Sequence, residues 1–249
     1  MRVAFLPNAR CILVNSALLF RKCNVLIRKC NVYFMKKLYI CLLFNLQSMS
    51  GNRNNTRNAI IQEAFKLFCN KPYDKVTFTD LEHATNLSRG AILYHFKSKQ
   101  DIFNSVIESA ILRTTTTLNI PIEEDEPLKN FIEVFVDSCK NAQKEMNKIG
   151  IKNMNLAHCN IVSQALYFYN QFDKLAKQMY ETELKRWTFV VKRAQETGEI
   201  KSTLNTELIG RMLLNTYLGH VYSAAKDEEG CTPQLLLKEL MYMRNILLA

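Results

Sequence analysis

The sequence predicts an all-α protein, and three observations support this prediction. Beyond residue 55, apolar residues recur three and four positions apart over most of the chain, which is the spacing of amphipathic helices. No segment sustains the alternation of apolar and polar residues that a half-buried strand requires. No proline occurs from Leu128 to Gly230, so long helices can run there without a break. The 249 residues, 48% hydrophobic and 22% charged, have the composition of a globular protein of one or two domains.

The net charge of +10 is unevenly distributed along the chain. Residues 1–48 carry eight Lys or Arg and no acidic residue, whereas residues 49–249 carry 25 basic and 23 acidic residues. Within that second span, residues 51–99 have eight basic and four acidic residues, and residues 100–249 have 17 and 19. The near-equal numbers of basic and acidic residues in 49–249 exclude a polybasic, histone-like binder of nucleic acid. The positive charge of the folded part is concentrated in residues 51–99.

Residues 1–48 do not share the helical pattern of the rest. They contain a near-repeat at 21–25 and 28–32, and a Lys-Lys pair at 36–37 before a short apolar run that imitates a signal peptide. No apolar run there reaches the roughly 18 residues of a membrane-spanning helix. We expect a non-native or disordered leader, translated upstream of a start at Met49. Two alternatives stay open, a basic arm that touches DNA or membrane and a true signal peptide.

Two helices are expected first. One begins near Thr56 and ends near Asn70, since Pro72 stops it. Thr77 is a good N-cap for a second helix over residues 78–85, and Asp80 can complete its capping box. The apolar stripe of the first helix consists of Ile61, Ala64, Phe65 and Phe68.

A tight turn and two further helices follow. Asn86 tolerates the left-handed conformation that such a turn needs, and Leu87 can fill the space beneath it. Ser88 caps a third helix from Arg89 to about residue 96, and Ser98 caps a fourth that begins at residue 99. Two short helices joined in this way are typical of a helix-turn-helix.

The start of the third helix has the chemistry of a DNA-reading segment. In a helix-turn-helix, the N-terminal end of the second helix enters the major groove, so its first residues must be small or hydrogen-bonding. Gly90 and Ala91 allow a close approach, and Arg89 can reach a guanine edge or a phosphate. Residues that can hold phosphates lie further along: Tyr94, His95 and Lys99.

The segment from about Thr56 to Phe103 resembles the TetR family of bacterial transcriptional regulators. The resemblance is carried by the first-helix pattern, Thr77, Leu87-Ser88-Arg89-Gly90, Tyr94-His95-Phe96 and Lys97-Ser98-Lys99. It implies phosphate contacts for Thr77, Tyr94, His95 and Lys99, base contacts for Arg89 and Gly90, and core positions for Phe96 and Ile102. The candidate DNA-binding residues are therefore Thr77, Ser88, Arg89, Gly90, Ala91, Tyr94, His95 and Lys99.

The chain departs from the family pattern at four positions. Asn86 replaces the usual turn glycine, and Glu82 stands where a small alanine is usual. Ala91 replaces a frequent threonine, and Leu93 replaces the first of two tyrosines. We expect Leu93 to pack against the first helix rather than to contact DNA.

The remainder of the chain is expected to be helical after a polar break at residues 113–127. The predicted helices cover residues 128–148, 156–170, 172–198, 205–226 and 233–248. The last two are apolar on more than one side, which indicates burial within one subunit or between subunits. The family resemblance implies dimerisation through these two helices. The candidate interface residues are Met212, Leu218, Val221, Leu236, Leu240 and Met243.

Aromatic and sulfur-containing residues are abundant in the same region and suit a pocket for a small apolar or aromatic effector. Core packing would use them equally. The candidate ligand-binding residues are Tyr167, Trp187, Met212 and Tyr217.

The sequence contains none of the common catalytic motifs. The sequence lacks GxSxG, P-loop and HExxH patterns, and its eight cysteines form no zinc spacing. We expect no enzymatic activity, metal or cofactor. The scattered cysteines indicate buried thiols in a reducing cytoplasm, with a redox sensor at Cys139 or Cys159 as an alternative.

Together these observations predict a cytoplasmic, homodimeric, ligand-responsive regulator that binds a palindromic operator in double-stranded DNA, most simply as a repressor, and that has no membrane partner. The expected domains are residues 49–103 for DNA binding and 104–249 for sensing and dimerisation. The alternative is a helical interaction protein that uses the helix-turn-helix as a scaffold and reads no operator.

Overall fold

The structure, a computed structural model, describes residues 52–112, 120–230 and 232–248. The segment predicted to be a leader lies outside these residues. The described residues form nine α-helices: α1 Asn52–Asn70, α2 Phe78–Thr85, α3 Arg89–His95, α4 Lys99–Ile107, α5 Pro127–Lys148, α6 Met154–Phe168, α7 Phe172–Glu196, α8 Thr206–Ala224 and α9 Pro233–Leu247. Within this part of the chain there is no strand beyond a single bridge between Ile200 and Leu248. The all-α prediction is confirmed.

Within the described residues, five helices begin at a side chain that caps the backbone, and the caps Thr77, Ser88 and Ser98 were predicted. Thr77 and Asp80 form a complete capping box at the start of α2, and Asn86 ends that helix in the left-handed conformation with φ of 54°. Side chains that accept a hydrogen bond from the backbone N–H three residues on begin the helices α3, α4, α6 and α8, namely Ser88, Ser98, Asn153 and Asn205. A π-helical turn, Glu108–Leu112, extends α4 and was not predicted.

The described helices share two hydrophobic cores. The first contains buried residues of α1 to α4 and of α6, with the rings of Phe68 and Phe103 in edge-to-face contact at 5.1 Å. The second is formed by α5, α7, α8 and α9. At its centre, Trp187 lies 5.0 Å from Phe131 and 5.2 Å from Phe135, measured between ring centroids. The helix α6 therefore packs with the helix-turn-helix, although it lies far beyond it in the sequence.

A buried ionic cluster links α5 and α9 in the second half of the chain. The Arg244 guanidinium donates to Glu199 at 2.6 Å and to Glu126 at 2.7 Å. The Glu199 carboxylate also accepts hydrogen bonds from the backbone N–H groups of Leu128 and Lys129 at 2.7 and 3.0 Å. It thus satisfies two free donors at the start of α5 and neutralises the arginine at the same time.

None of the helices in the described residues is both long and apolar enough to span a bilayer.

Candidate nucleic-acid interface

The turn that leads into α2 is held by an ion pair. The Lys71 ammonium lies 2.7 Å from the Asp80 carboxylate, which also accepts hydrogen bonds from the N–H and hydroxyl of Thr77 at 2.7 and 2.8 Å. The hydrogen bond from Lys71, together with those from Thr77, holds the pKa of the Asp80 carboxyl well below its usual range. The predicted phosphate-contacting Thr77 thus has its hydroxyl engaged at the helix start while the residue itself is exposed.

The start of α3 is fixed by contacts from two sides. The Ser88 hydroxyl accepts a hydrogen bond of 3.3 Å from the Ala91 N–H. The Glu82 carboxylate accepts one of 2.6 Å from the Arg89 N–H, and the Arg89 guanidinium lies 4.8 Å from the centre of the Phe78 ring. The sequence showed Glu82 only as a departure from the family pattern, because a contact across seven residues and a turn has no local signature.

The surface of α3 presents several of the predicted DNA contacts to solvent. Ser88, Arg89 and Gly90 are exposed, and Ala91 is half-buried. Among the described residues, a Cβ atom added at Gly90 would have no neighbour closer than the Ser88 hydroxyl at 4.0 Å, so packing within this part of the chain does not require the glycine. The absence of a side chain at Gly90 therefore leaves room for another molecule to approach the backbone of α3.

The aromatic residues near the end of α3 lie side by side. Tyr94 is 64% exposed and His95 is half-buried, with their rings perpendicular at 5.1 Å. Phe96 and Ile102 are buried in the first core, as the resemblance implied.

Lys99 differs from its neighbours in this set. Its ammonium donates to the carbonyls of Tyr73 and Val76, both at 2.8 Å, and lies 4.4 Å from the centre of the Tyr73 ring. Two of its three donors thus hold the turn before α2. The predicted phosphate contact is left with one donor, and the first role of Lys99 in the free protein is to brace that turn.

The expectation that Leu93 packs against the first helix is wrong. Its side chain is 39% exposed on α3 and belongs to neither core. The seven-residue helix α3 buries only Ile92, so the position next to it is turned outward.

The candidate ligand-binding residues are not brought together. Trp187 is fully buried, and Tyr217 contacts the same core because its ring lies 4.8 Å from that of Phe135, which Trp187 also contacts. Tyr167 is 84% exposed at the end of α6, and Met212 is half exposed on α8. Tyr167 and Met212 therefore lie outside the second core that holds Trp187 and Tyr217.

The candidate interface residues also include both exposed and buried side chains. Met212 and Leu218 are exposed on α8, and Val221 and Met243 are half-buried. Leu236 and Leu240 are fully buried in the second core and do not form an outer face. The two leucines lie on the inner stripe of α9, four residues apart, while the outer side of the same helix carries other apolar residues. The exposed apolar residues of α8 and α9 are Leu208, Met212, Leu218, Tyr222, Leu235, Tyr242 and Ile246.

The thiols of the described residues are poorly suited to redox sensing. Cys69 and Cys139 are buried and Cys159 is half-buried. Burial raises the pKa of the Cys69 and Cys159 thiols, which keeps them in the unreactive protonated form.

The helix-turn-helix segment is similar in sequence to known bacterial regulatory proteins. Residues 60–106 match the family model described as bacterial regulatory proteins of the tetR family. Over 180 residues the chain is 24% identical to the HTH-type transcriptional repressor BepR of Brucella suis biovar 1 (strain 1330), a match that covers 70% of this chain and 83% of that protein. Over 51 residues it is 37% identical to the probable acrEF/envCD operon repressor of Escherichia coli (strain K12), covering 20% of this chain and 23% of that protein.

The similarity in fold extends over most of the chain. The crystal structure of a transcriptional regulator of the TetR family from Agrobacterium tumefaciens matches with a TM-score of 0.59 at 15% sequence identity, covering 80% of this chain and 100% of that chain. At this identity the match concerns the fold alone.

Proposed function

Since the chain carries a helix-turn-helix domain of the TetR family, we propose that it is a transcriptional regulator that represses genes by binding operator DNA. The observation that carries this proposal is the exposure of Arg89 and Gly90 at the start of α3. The buried Ile92 of the same helix anchors it in the first core. The surplus of basic residues at 51–99 would attract the same surface to phosphates.

The proposed operator is palindromic, because the proposed regulator is a homodimer. The exposed apolar residues of α8 and α9 form a surface that a second copy of the chain would cover. A two-fold dimer presents two α3 helices to successive major grooves, roughly 34–36 Å apart. Each half-site would then be read by one copy of Arg89.

The proposed effector is a small apolar or aromatic molecule that carries a hydrogen-bond acceptor. Trp187, Phe131, Phe135 and Tyr217 form a continuous aromatic group inside the second core. The buried indole N–H of Trp187 finds no acceptor among the described residues. A ligand acceptor there would remove a cost of about 1–3 kcal/mol. Such a ligand would act by favouring a dimer whose α3 helices no longer match the operator spacing.

Selection of bound fragments from genomic DNA, followed by affinity measurements over a series of salt concentrations, tests the DNA-binding proposal. The full chain should enrich a palindromic sequence and bind it at least roughly 10³-fold more tightly than random DNA of equal length. Arg89→Ala should cost about 1–3 kcal/mol on the selected site and less on random DNA. Equal loss on both would make Arg89 a phosphate contact. No enrichment of any sequence would favour the scaffold alternative and refute the proposed function.

A further inference from the structure

One face of α2 contacts the first residue of α3 at two points. Phe78 and Glu82 are four residues apart on α2, so their side chains are neighbours on the same face of that helix. The Glu82 carboxylate holds the Arg89 N–H at 2.6 Å, and the Phe78 ring lies 4.8 Å below the Arg89 guanidinium. The backbone and the side chain of Arg89 are therefore both fixed by α2.

We propose that Phe78 and Glu82 are positioning residues for sequence readout and that they act through Arg89. This inference rests on the proposed function, because it requires α3 to enter the major groove. It assigns to α2 a share in DNA specificity without any contact between Phe78 and a base.

Stacking on a ring leaves an arginine free to read a base. The guanidinium donors lie in its plane and point outward from its edge, and these are the atoms that pair with O6 and N7 of guanine. The Arg89 guanidinium carbon lies 4.8 Å from the centre of the Phe78 ring, and a ring that contacts the face of a guanidinium leaves this edge unoccupied. A side chain that rests on a ring before it binds DNA loses less conformational freedom when it binds a base. This gain in binding free energy applies only where the DNA offers a matching base, so it raises the preference for that sequence over random DNA.

Glu82 acts on the backbone of the same residue. The free N–H groups at a helix start attract phosphates regardless of sequence. Glu82 occupies the Arg89 N–H and places a negative charge beside it. A phosphate is thereby disfavoured at this point, and binding to random DNA is weakened more than binding to a site that is recognised through the Arg89 side chain.

The experiment compares the affinity of the full chain for a duplex selected from genomic fragments with its affinity for a random duplex of equal length. Phe78→Leu keeps an apolar side chain for the first core, against which Phe78 packs, but removes the ring. We expect the ratio of the two affinities to fall about fivefold. The control Phe78→Tyr keeps the ring and should keep the ratio.

A double-mutant cycle separates positioning from a merely structural role. In an Arg89→Ala chain, Phe78→Leu should leave the ratio unchanged, because its effect is transmitted through Arg89. An equal fall in the ratio with and without Arg89 would overturn the proposal, and so would equal losses on selected and random DNA.

Glu82→Ala provides an independent test, because it removes the half-buried carboxylate that accepts the Arg89 N–H and leaves the Phe78 ring in place. It should raise the affinity for random DNA and lower the ratio about tenfold. A structural role alone would weaken binding to both duplexes. If the unmodified chain selects no sequence, the proposed function and this inference fail together. If it selects one and neither variant changes the ratio, only this inference fails.

Discussion

Replacement of Gly210 by alanine should destabilise the second core through a clash between two helix backbones. A Cβ atom at Gly210 on α8 would lie 2.9 Å from the backbone N and Cα atoms of Thr188 on α7, and 2.7 Å from its hydroxyl oxygen. The hydroxyl can rotate away, but the backbone atoms cannot, so α7 and α8 must separate by about half an ångström to reach ordinary contact. Such overpacking costs about 3 kcal/mol, and the better helix propensity of alanine returns about 1 kcal/mol. The expected net loss is about 2 kcal/mol in the free energy of unfolding.

The assay for this prediction is urea unfolding followed by fluorescence, because the single tryptophan of the chain, Trp187, lies at the centre of the affected core. Gly219→Ala is the matched control, since Gly219 lies on the same helix and an added Cβ atom there meets none of the described residues within 4 Å. It should raise stability by up to about 1 kcal/mol when both variants are compared at one protein concentration. Equal stability of the two alanine variants would show that α7 and α8 do not approach each other as described.

Three further predictions concern the ionic cluster, the recognition helix and the outer face of α8 and α9. Glu199→Ala should lower the free energy of unfolding by about 3–5 kcal/mol in the same urea assay, because it leaves the buried Arg244 without its closest carboxylate; a loss below 1 kcal/mol would contradict this. Gly90→Ala should leave the melting temperature within a degree or two of the original while weakening operator binding at least tenfold, and unchanged DNA affinity would mean that no groove wall approaches this backbone. Met212→Glu combined with Tyr242→Glu should give a folded monomer in sedimentation, because the two side chains are 49% and 70% exposed and a charge there need not enter the core. An unchanged dimer would move the interface elsewhere.

Helix boundaries were predictable because they depend on neighbours in the sequence. A cap involves residues three positions apart, as in the pair Thr77 and Asp80, and the left-handed end of α2 depends on one residue, Asn86. The starts of α2, α3 and α4 were therefore predicted at the observed residues. The π-helical turn after α4 has no comparable signature in the sequence, and it was missed.

The orientation of apolar helices was less predictable, because both sides of α9 carry leucine, methionine or tyrosine. The sequence could not distinguish a stripe that faces the core of its own subunit from one that faces outward. The structure places Leu236 and Leu240 in the core and Leu235 and Tyr242 on the surface. Two of the six candidate interface residues, Leu236 and Leu240, are therefore core residues, and dimerisation through α8 and α9 stays a prediction.

No sequence pattern indicated the contacts that join the two halves of the chain. On α6, the side-chain amides of Asn160 and Gln164 donate to the carbonyls of Cys69 and Phe68 at 2.8 and 2.9 Å. These carbonyls belong to the last turn of α1, where no partner exists within the helix. A displacement of α6 would leave them unsatisfied at a cost of about 1–3 kcal/mol each. The position of α6 and the packing of the helix-turn-helix are therefore energetically coupled, because α6 shares the first core with α1 to α4.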